Sequence, residues 1–171
     1  MRRTQTIAAM ITAAAMLLAI VAPATARDQV GIAKGTVEWA LRGGAVPGIV
    51  SEFRVRDGEP GTDSQVGDGG TYHLYRPGPV PGTLTIDVSC VRVEDGWAEF
   101  AGVTTEATGV YVEDEVWLVS VVDGGRGWTA DDIGMKSKGF DEDAGCAAAL
   151  DEQQFGRKGV ISGGNIKIRT R

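Results

Sequence analysis

The sequence predicts a single all-β domain, either an antiparallel β-sandwich or a flattened barrel of about eight or nine strands. Three observations support this fold. Apolar and polar residues alternate in many short runs, which is typical of half-buried antiparallel strands. The 25 glycines lie between these runs without a fixed period, as tight turns require. The 171 residues, of which 43% are hydrophobic, suffice for one core and leave little room for a second.

The first half of the chain contains three strand-like runs. Residues 36–41 and 48–57 alternate between apolar and polar positions, and in the second run Ile49, Phe53 and Val55 share one face. A polar loop begins at Asp57-Gly58, and residues 71–75 form a short third strand. The segment RPGPVPG at 76–82 contains three prolines, each of which removes a backbone donor from a sheet. We therefore expect a connection there.

Two hairpins are predicted next. Leu84, Ile86, Val88 and Cys90 share a face, whereas Val91 and Val93 are out of phase, which indicates a β-bulge or a strand that bends between faces. Asp95-Gly96 supplies a two-residue turn, and residues 97–103 return as the partner strand. Residues 109–112 and 116–122 are expected to form the second hairpin. The run 116–122 is apolar on both faces, which is typical of a central strand.

The last third of the chain is less regular. Residues 124–145 are interpreted as a long polar excursion, and CAAALDEQQF at 146–155 is predicted to form the one short helix, which ends at Gly156. Residues 159–161 and 166–169 are the final strand-like runs.

Several short motifs occur in a recognisable order along residues 49–169. They are Phe53-Arg54-Val55, the alternation of Ala98, Phe100 and Gly102, the turn Asp123-Gly124-Gly125, and the closing run Gly163-Gly164-Asn165-Ile166-Lys167-Ile168. Together they resemble a group of small secreted bacterial β-domains that end in a glycine pair and a short basic strand. That resemblance implies the β fold. It implies no site, because the group has no established activity.

Residues 1–26 are interpreted as a secretory signal peptide. Arg2 and Arg3 precede an apolar run at 7–22, and Ala24-Thr25-Ala26 matches the small-x-small pattern at a cleavage site. Residues 27–171 would then form a secreted domain with no membrane span. Because an exported chain with an even cysteine count favours disulfide formation, we predict a bridge between Cys90 and Cys146; two separately buried thiols are the alternative.

Composition and motifs argue against several function classes. The net charge of −6, with no basic run longer than a pair such as Arg157-Lys158, disfavours nucleic-acid binding. One histidine and two cysteines do not make a usual zinc site. His73 is expected on the solvent side of a strand, and Glu94 and Glu99 are expected to project to solvent beside the turn. No nucleophile–base pair emerges, so the protein is not expected to be an enzyme.

A calcium site is the one metal hypothesis that the sequence offers, although no cofactor is expected. Asp123, Asp131 and Asp132 bracket a glycine-rich loop, and an acidic run at 141–143 follows. Aspartates in turns also serve local hydrogen bonding, which is the simpler interpretation.

Aromatic residues suggest where a partner could bind. Trp39, Trp97 and Trp117 lie on strands and are expected in the core, whereas Trp128 lies in a polar loop and is the candidate binding anchor. The leading expectation is a non-catalytic secreted module that binds an extracellular protein or glycan through residues 124–139 and its edge strands. A small-ligand-carrying barrel is the alternative, followed by a secreted hydrolase. The eleven aromatics and mostly small aliphatics favour a thin, solid sandwich.

Overall fold

The computed structural model of the protein describes residues 30–41, 46–60, 65–125, 131–139 and 157–171. These ranges contain β-strands and connections. The signal peptide predicted at 1–26, the helix predicted at 146–155 and Trp128 lie outside them. Within the described residues, no helix has the length and apolar character needed to cross a membrane.

Eight strands account for the described fold. They are β1 (Gly31–Leu41), β2 (Ile49–Asp57), β3 (Gly69–Arg76), β4 (Gly82–Glu94), β5 (Trp97–Ala107), β6 (Val116–Val122), β7 (Asp132–Gly139) and β8 (Arg157–Thr170).

The strands form one closed antiparallel barrel. Each strand pairs with the next in the chain, and the whole of β1 pairs with β8. β7 pairs with β8 at two positions, where Gly134 lies opposite Lys158 and Met135 lies opposite Arg157. The all-β prediction is thus confirmed, and of its two alternatives the strands form the barrel. The order is a simple meander, because each strand is antiparallel to the strand that follows it in the chain.

An aromatic cluster fills the middle of the barrel. The ring centroids of Phe53, Tyr72 and Phe100 lie 5.7 to 6.5 Å from one another, and all three side chains are buried. These distances suit tilted and offset ring contacts, which stabilise a core beyond simple burial. We call this cluster the waist of the barrel.

Several local predictions are confirmed. Val88 pairs with Gly102 and Cys90 with Ala101, so Ser89 is an extra residue at a bulge. Beyond the bulge, Val91 and Val93 join the core. Cys90 was expected on the same face as Val88, but it lies on the outer face.

The connection at 77–81, the turn at 95–96 and the two apolar faces of β6 also match expectation. Within β6, Val119 and Val121 pack into the core, and Leu118 is buried in a separate cluster.

Three assignments were wrong. Residues 109–112 belong to a connection, because Gly109 and Asp114 adopt φ values of 69° and 63° that no strand accommodates. Residues 132–139, expected in an irregular excursion, form β7. The two final runs are one continuous strand, β8, whose glycine pair permits the irregular pairing with β1. A Cβ atom on Gly164, at φ 108°, would overlap the carbonyl of Thr36.

Candidate functional site

A large cavity occupies one end of the barrel, at the side where β1 leads to β2, β3 to β4 and β5 to β6. Its volume is about 640 Å³, within the range of clefts that hold small ligands. We call it the cup. It is lined by Trp39, Leu41, Ile49, Leu74, Arg76, Val110, Tyr111, Glu115, Trp117, Met135, Lys136 and Ser137.

A buried hydrogen-bonded chain supports the floor of the cup. The indole N–H of Trp39 donates to Ser51 Oγ at 2.8 Å, Ser51 Oγ lies 2.7 Å from the Tyr72 hydroxyl, and that hydroxyl donates to Met135 Sδ at 3.4 Å. Burial raises the pKa of Tyr72, so its hydroxyl remains a donor at neutral pH. The chain fixes Trp39 and Met135, which form the floor, above the waist.

One wall of the cup is aromatic. Tyr111, from the connection between β5 and β6, packs edge-to-face on Trp117 with centroids 5.9 Å apart. The Trp117 indole donates to Glu115 Oε2 at 3.0 Å, and Ser137 donates to Glu115 Oε1. Both oxygens of this carboxylate therefore already have donors within the wall.

Arg76 is a cation in the cup whose hydrogen-bonding groups are incompletely satisfied. It is half-buried at the end of β3, and its Nε is buried without a hydrogen-bond partner. Burial raises the pKa of Tyr111, and the Arg76 guanidinium, which bonds to the Tyr111 hydroxyl, opposes this rise. No carboxylate pairs with Arg76 in the ranges that the structure describes. A cation on an apolar wall without a counter-ion favours an anionic group on a ligand.

Cys90, the described member of the predicted disulfide, lies apart from the cup. Cys90 is fully buried on the outer face, in a small cluster with Ala101 and Leu118. Its predicted partner Cys146 and the predicted anchor Trp128 lie outside the described residues. The bridge and the anchor therefore stay predictions.

The acidic loop residues serve the backbone at the other end of the barrel. Asp123 accepts from the N–H groups of Gly125 and Ile168, and Asp131 accepts from those of Gly124 and Ile166. These are the hydrogen bonds that the simpler interpretation of the loop requires. Asp132 accepts from the N–H of Ile133. Among the residues described, no three His, Cys, Asp or Glu side chains are grouped to hold a metal ion; the run 141–143 lies outside.

The remaining titratable candidates differ in outcome. His73 is exposed on the outer face of β3, as expected, 3.1 Å from Thr85 Oγ1. Glu94 is partly exposed and pairs with Arg92 at 2.9 Å. Glu99 was expected in solvent, but it is only 1% exposed, accepts from Ser120 Oγ at 3.2 Å and has a second oxygen without a partner. Burial raises its pKa.

The predicted core tryptophans have three different environments. Trp39 is 1% exposed and belongs to the core, as expected. Trp117 is partly buried in the cup wall. Trp97 is partly exposed on the outer face, with the Arg92 guanidinium 5.6 Å from its ring centroid.

Sequence reasoning missed the cup. Its lining comes from the ends of strands that are far apart in the chain, and the wrong strand assignment at 109–112 hid the connection that carries Tyr111. One available signal was Arg76, a cation placed directly after the apolar residues of β3. Comparison of the chain with protein-family models, curated proteins and solved structures found no match.

Proposed function

We propose that the protein binds a small, mainly apolar ligand with an acidic group in the cup, as a non-catalytic carrier. The observation that carries this proposal is the cavity of about 640 Å³ with apolar floor and walls at the mouth of the barrel. Arg76 supplies a cationic group in the cup that no described carboxylate pairs with.

The cup favours a carrier over the interaction module that the sequence placed first. The module was expected to use residues 124–139, yet residues 132–139 form β7 within the barrel wall. A hydrolase is also less well supported. No histidine lines the cup, since the single His73 lies on the outer face of β3.

The proposal is tested with N-phenyl-1-naphthylamine, an uncharged apolar dye whose fluorescence rises on leaving water. We expect saturable binding with one dye per protein. Val110 lines the cup and is 44% exposed, so Val110→Trp places an indole in the ligand space without disturbing the core. This variant should bind the dye about tenfold more weakly, equivalent to about 1.4 kcal/mol.

Val112→Trp is the matched control. Val112 belongs to the same connection and is 52% exposed, but it does not line the cup. Its variant should bind the dye as the wild type does. Absence of saturable binding, or an equal loss in both variants, would refute a ligand site in the cup.

We also propose that the chain is exported and that Cys90 and Cys146 form a disulfide. We propose cleavage after Ala26, so that N-terminal sequencing of the mature protein begins at Arg27. An intact Met1 on the mature protein would contradict export by this route.

A further inference from the structure

The outer face of β2, β1 and β8 gathers basic residues that are scattered in the sequence. Lys34 of β1 lies directly opposite Arg54 of β2 on one side and Lys167 of β8 on the other. Neighbouring strands are about 4.8 Å apart, so three cations cross the sheet within roughly 10 Å. All three side chains are exposed.

A second row lies two residues along the same strands. Ile32 of β1 stands opposite Arg56 and Arg169, and both of these arginines are exposed. The strand rise of about 3.3 Å per residue puts the two rows roughly 7 Å apart. We call the five residues the basic face; they are Lys34, Arg54, Arg56, Lys167 and Arg169.

Within the described residues, no carboxylate forms an ion pair with the basic face. The whole chain nevertheless carries a net charge of −6. Glu52 is the acidic residue that borders it on β2. Like charges placed directly opposite one another destabilise a sheet. An anionic partner would relieve this repulsion.

A shallow depression adjoins the first row, on the side away from Arg56 and Arg169. Lys34, Arg54, Lys167 and Asn165 border this depression of about 590 Å³. Gly35 contributes to its base, and Glu52 lies at its border together with the cations. The sheet therefore presents an open depression beside the first row of the basic face.

We propose that the basic face binds an anionic polysaccharide chain. The first row spans roughly 10 Å, and the second row lies roughly 7 Å from it. A linear polymer with repeated anionic groups matches this arrangement of cations. Nucleic-acid binding by single strands relies on aromatic stacking, and no aromatic side chain is exposed on this face among the described residues. Within the two rows the apolar side chain is Ile32, which is partly buried between Arg56 and Arg169 and offers little area for insertion into a bilayer.

The test uses fluorescently labelled heparin oligosaccharide and the full mature chain. Fluorescence anisotropy should show binding whose affinity falls as salt rises, because counterions are released from the polyanion. A triple variant with Lys34→Gln, Arg54→Gln and Lys167→Gln should bind at least tenfold more weakly. The logarithmic salt dependence should become shallower by about one unit per charge removed.

Arg92→Gln provides the control, because Arg92 is a cation on the outer face of β4 paired with Glu94. It should leave heparin binding within about twofold of the wild type. The triple variant should unfold at the same temperature as the wild type or higher, because like-charge repulsion is relieved. A melting curve thus separates lost binding from lost folding.

Four outcomes overturn the inference. They are no heparin binding by the wild type, retained binding by a folded triple variant, a comparable loss in Arg92→Gln, and tighter binding of single-stranded DNA or of anionic vesicles at equal salt. None of these bears on the cup, whose dye binding is measured separately.

Discussion

Replacing Arg76 by glutamine separates the charge of the cup from its apolar volume. Glutamine keeps a hydrogen-bond donor near the Tyr111 hydroxyl but removes the positive charge that has no described counter-ion. Binding of a neutral ligand depends on the apolar lining and should be nearly unchanged. Binding of an anionic ligand should weaken, because its carboxylate loses a charged partner.

The magnitude follows from the position of the guanidinium. A hydrogen bond to a charged group contributes about 1.5–3 kcal/mol, which corresponds to roughly 10- to 100-fold in affinity. Arg76 is half-buried, so water screens it in part and the lower end applies. We expect a loss of about tenfold for the anion.

The assay is displacement of N-phenyl-1-naphthylamine by decanoate and by 1-decanol. At about pH 7.5 the carboxyl group of decanoate is ionised and the arginine is charged, so the pair differs in charge at similar length. The ratio of decanoate affinity to decanol affinity should fall about tenfold in Arg76→Gln. Arg92→Gln, which removes a cation outside both the cup and the basic face, should leave the ratio unchanged.

The outcomes distinguish two failures. An unchanged ratio in Arg76→Gln would refute the role of the charge and leave the cup intact as an apolar site. A dye that never binds the wild type would refute the cup itself as a ligand site.

Three further predictions concern stability. Ser51→Ala removes the acceptor of the buried Trp39 indole N–H, and it should lower the free energy of unfolding by about 1–3 kcal/mol. Urea titration measures this change, and an unchanged midpoint would contradict the stabilising role of the hydrogen-bonded chain. Burial raises the pKa of Glu99 in the folded state, so the folded state binds a proton more readily than the unfolded state. The free energy of unfolding of the wild type therefore falls as the pH rises from about 4.5 through the folded-state pKa. Glu99→Gln should therefore gain stability relative to the wild type across that interval in melting curves, and a difference that does not vary with pH would contradict the argument. If Cys90 and Cys146 are bridged, a non-reduced digest contains their linked peptides, and Cys146→Ser lowers stability by up to about 4 kcal/mol; two free thiols in the folded protein would refute the bridge.

Local features of the fold were predictable because they depend on neighbouring residues. Alternation in β2 fixes which side chains enter the core, whatever the strand pairs with. The phase change after Val88 required a bulge, and the prolines at 77–81 required a connection. The errors were local as well: Val110 and Val112 alternate like strand residues, but positive φ values on either side turn the chain away.

Burial on the outer face could not be judged from alternation alone. Glu99 was expected in solvent because it lies beside the hairpin turn. It does alternate with core residues of β5, yet it is buried on the opposite face of that strand. Period-two patterns assign a residue to a face, but they do not say whether that face is covered.

The sequence by itself determined the all-β class, most strand positions and the turns, because side-chain alternation and turn chemistry act over a few residues. Tertiary structure alone decided that the sheet closes, since β1 and β8 pair across nearly the whole chain. Closure creates the mouth that holds the cup, and the register across β2, β1 and β8 aligns Arg54, Lys34 and Lys167 into one row. These residues lie far apart in sequence, so no linear pattern joins them; long-range strand pairing is what makes them neighbours.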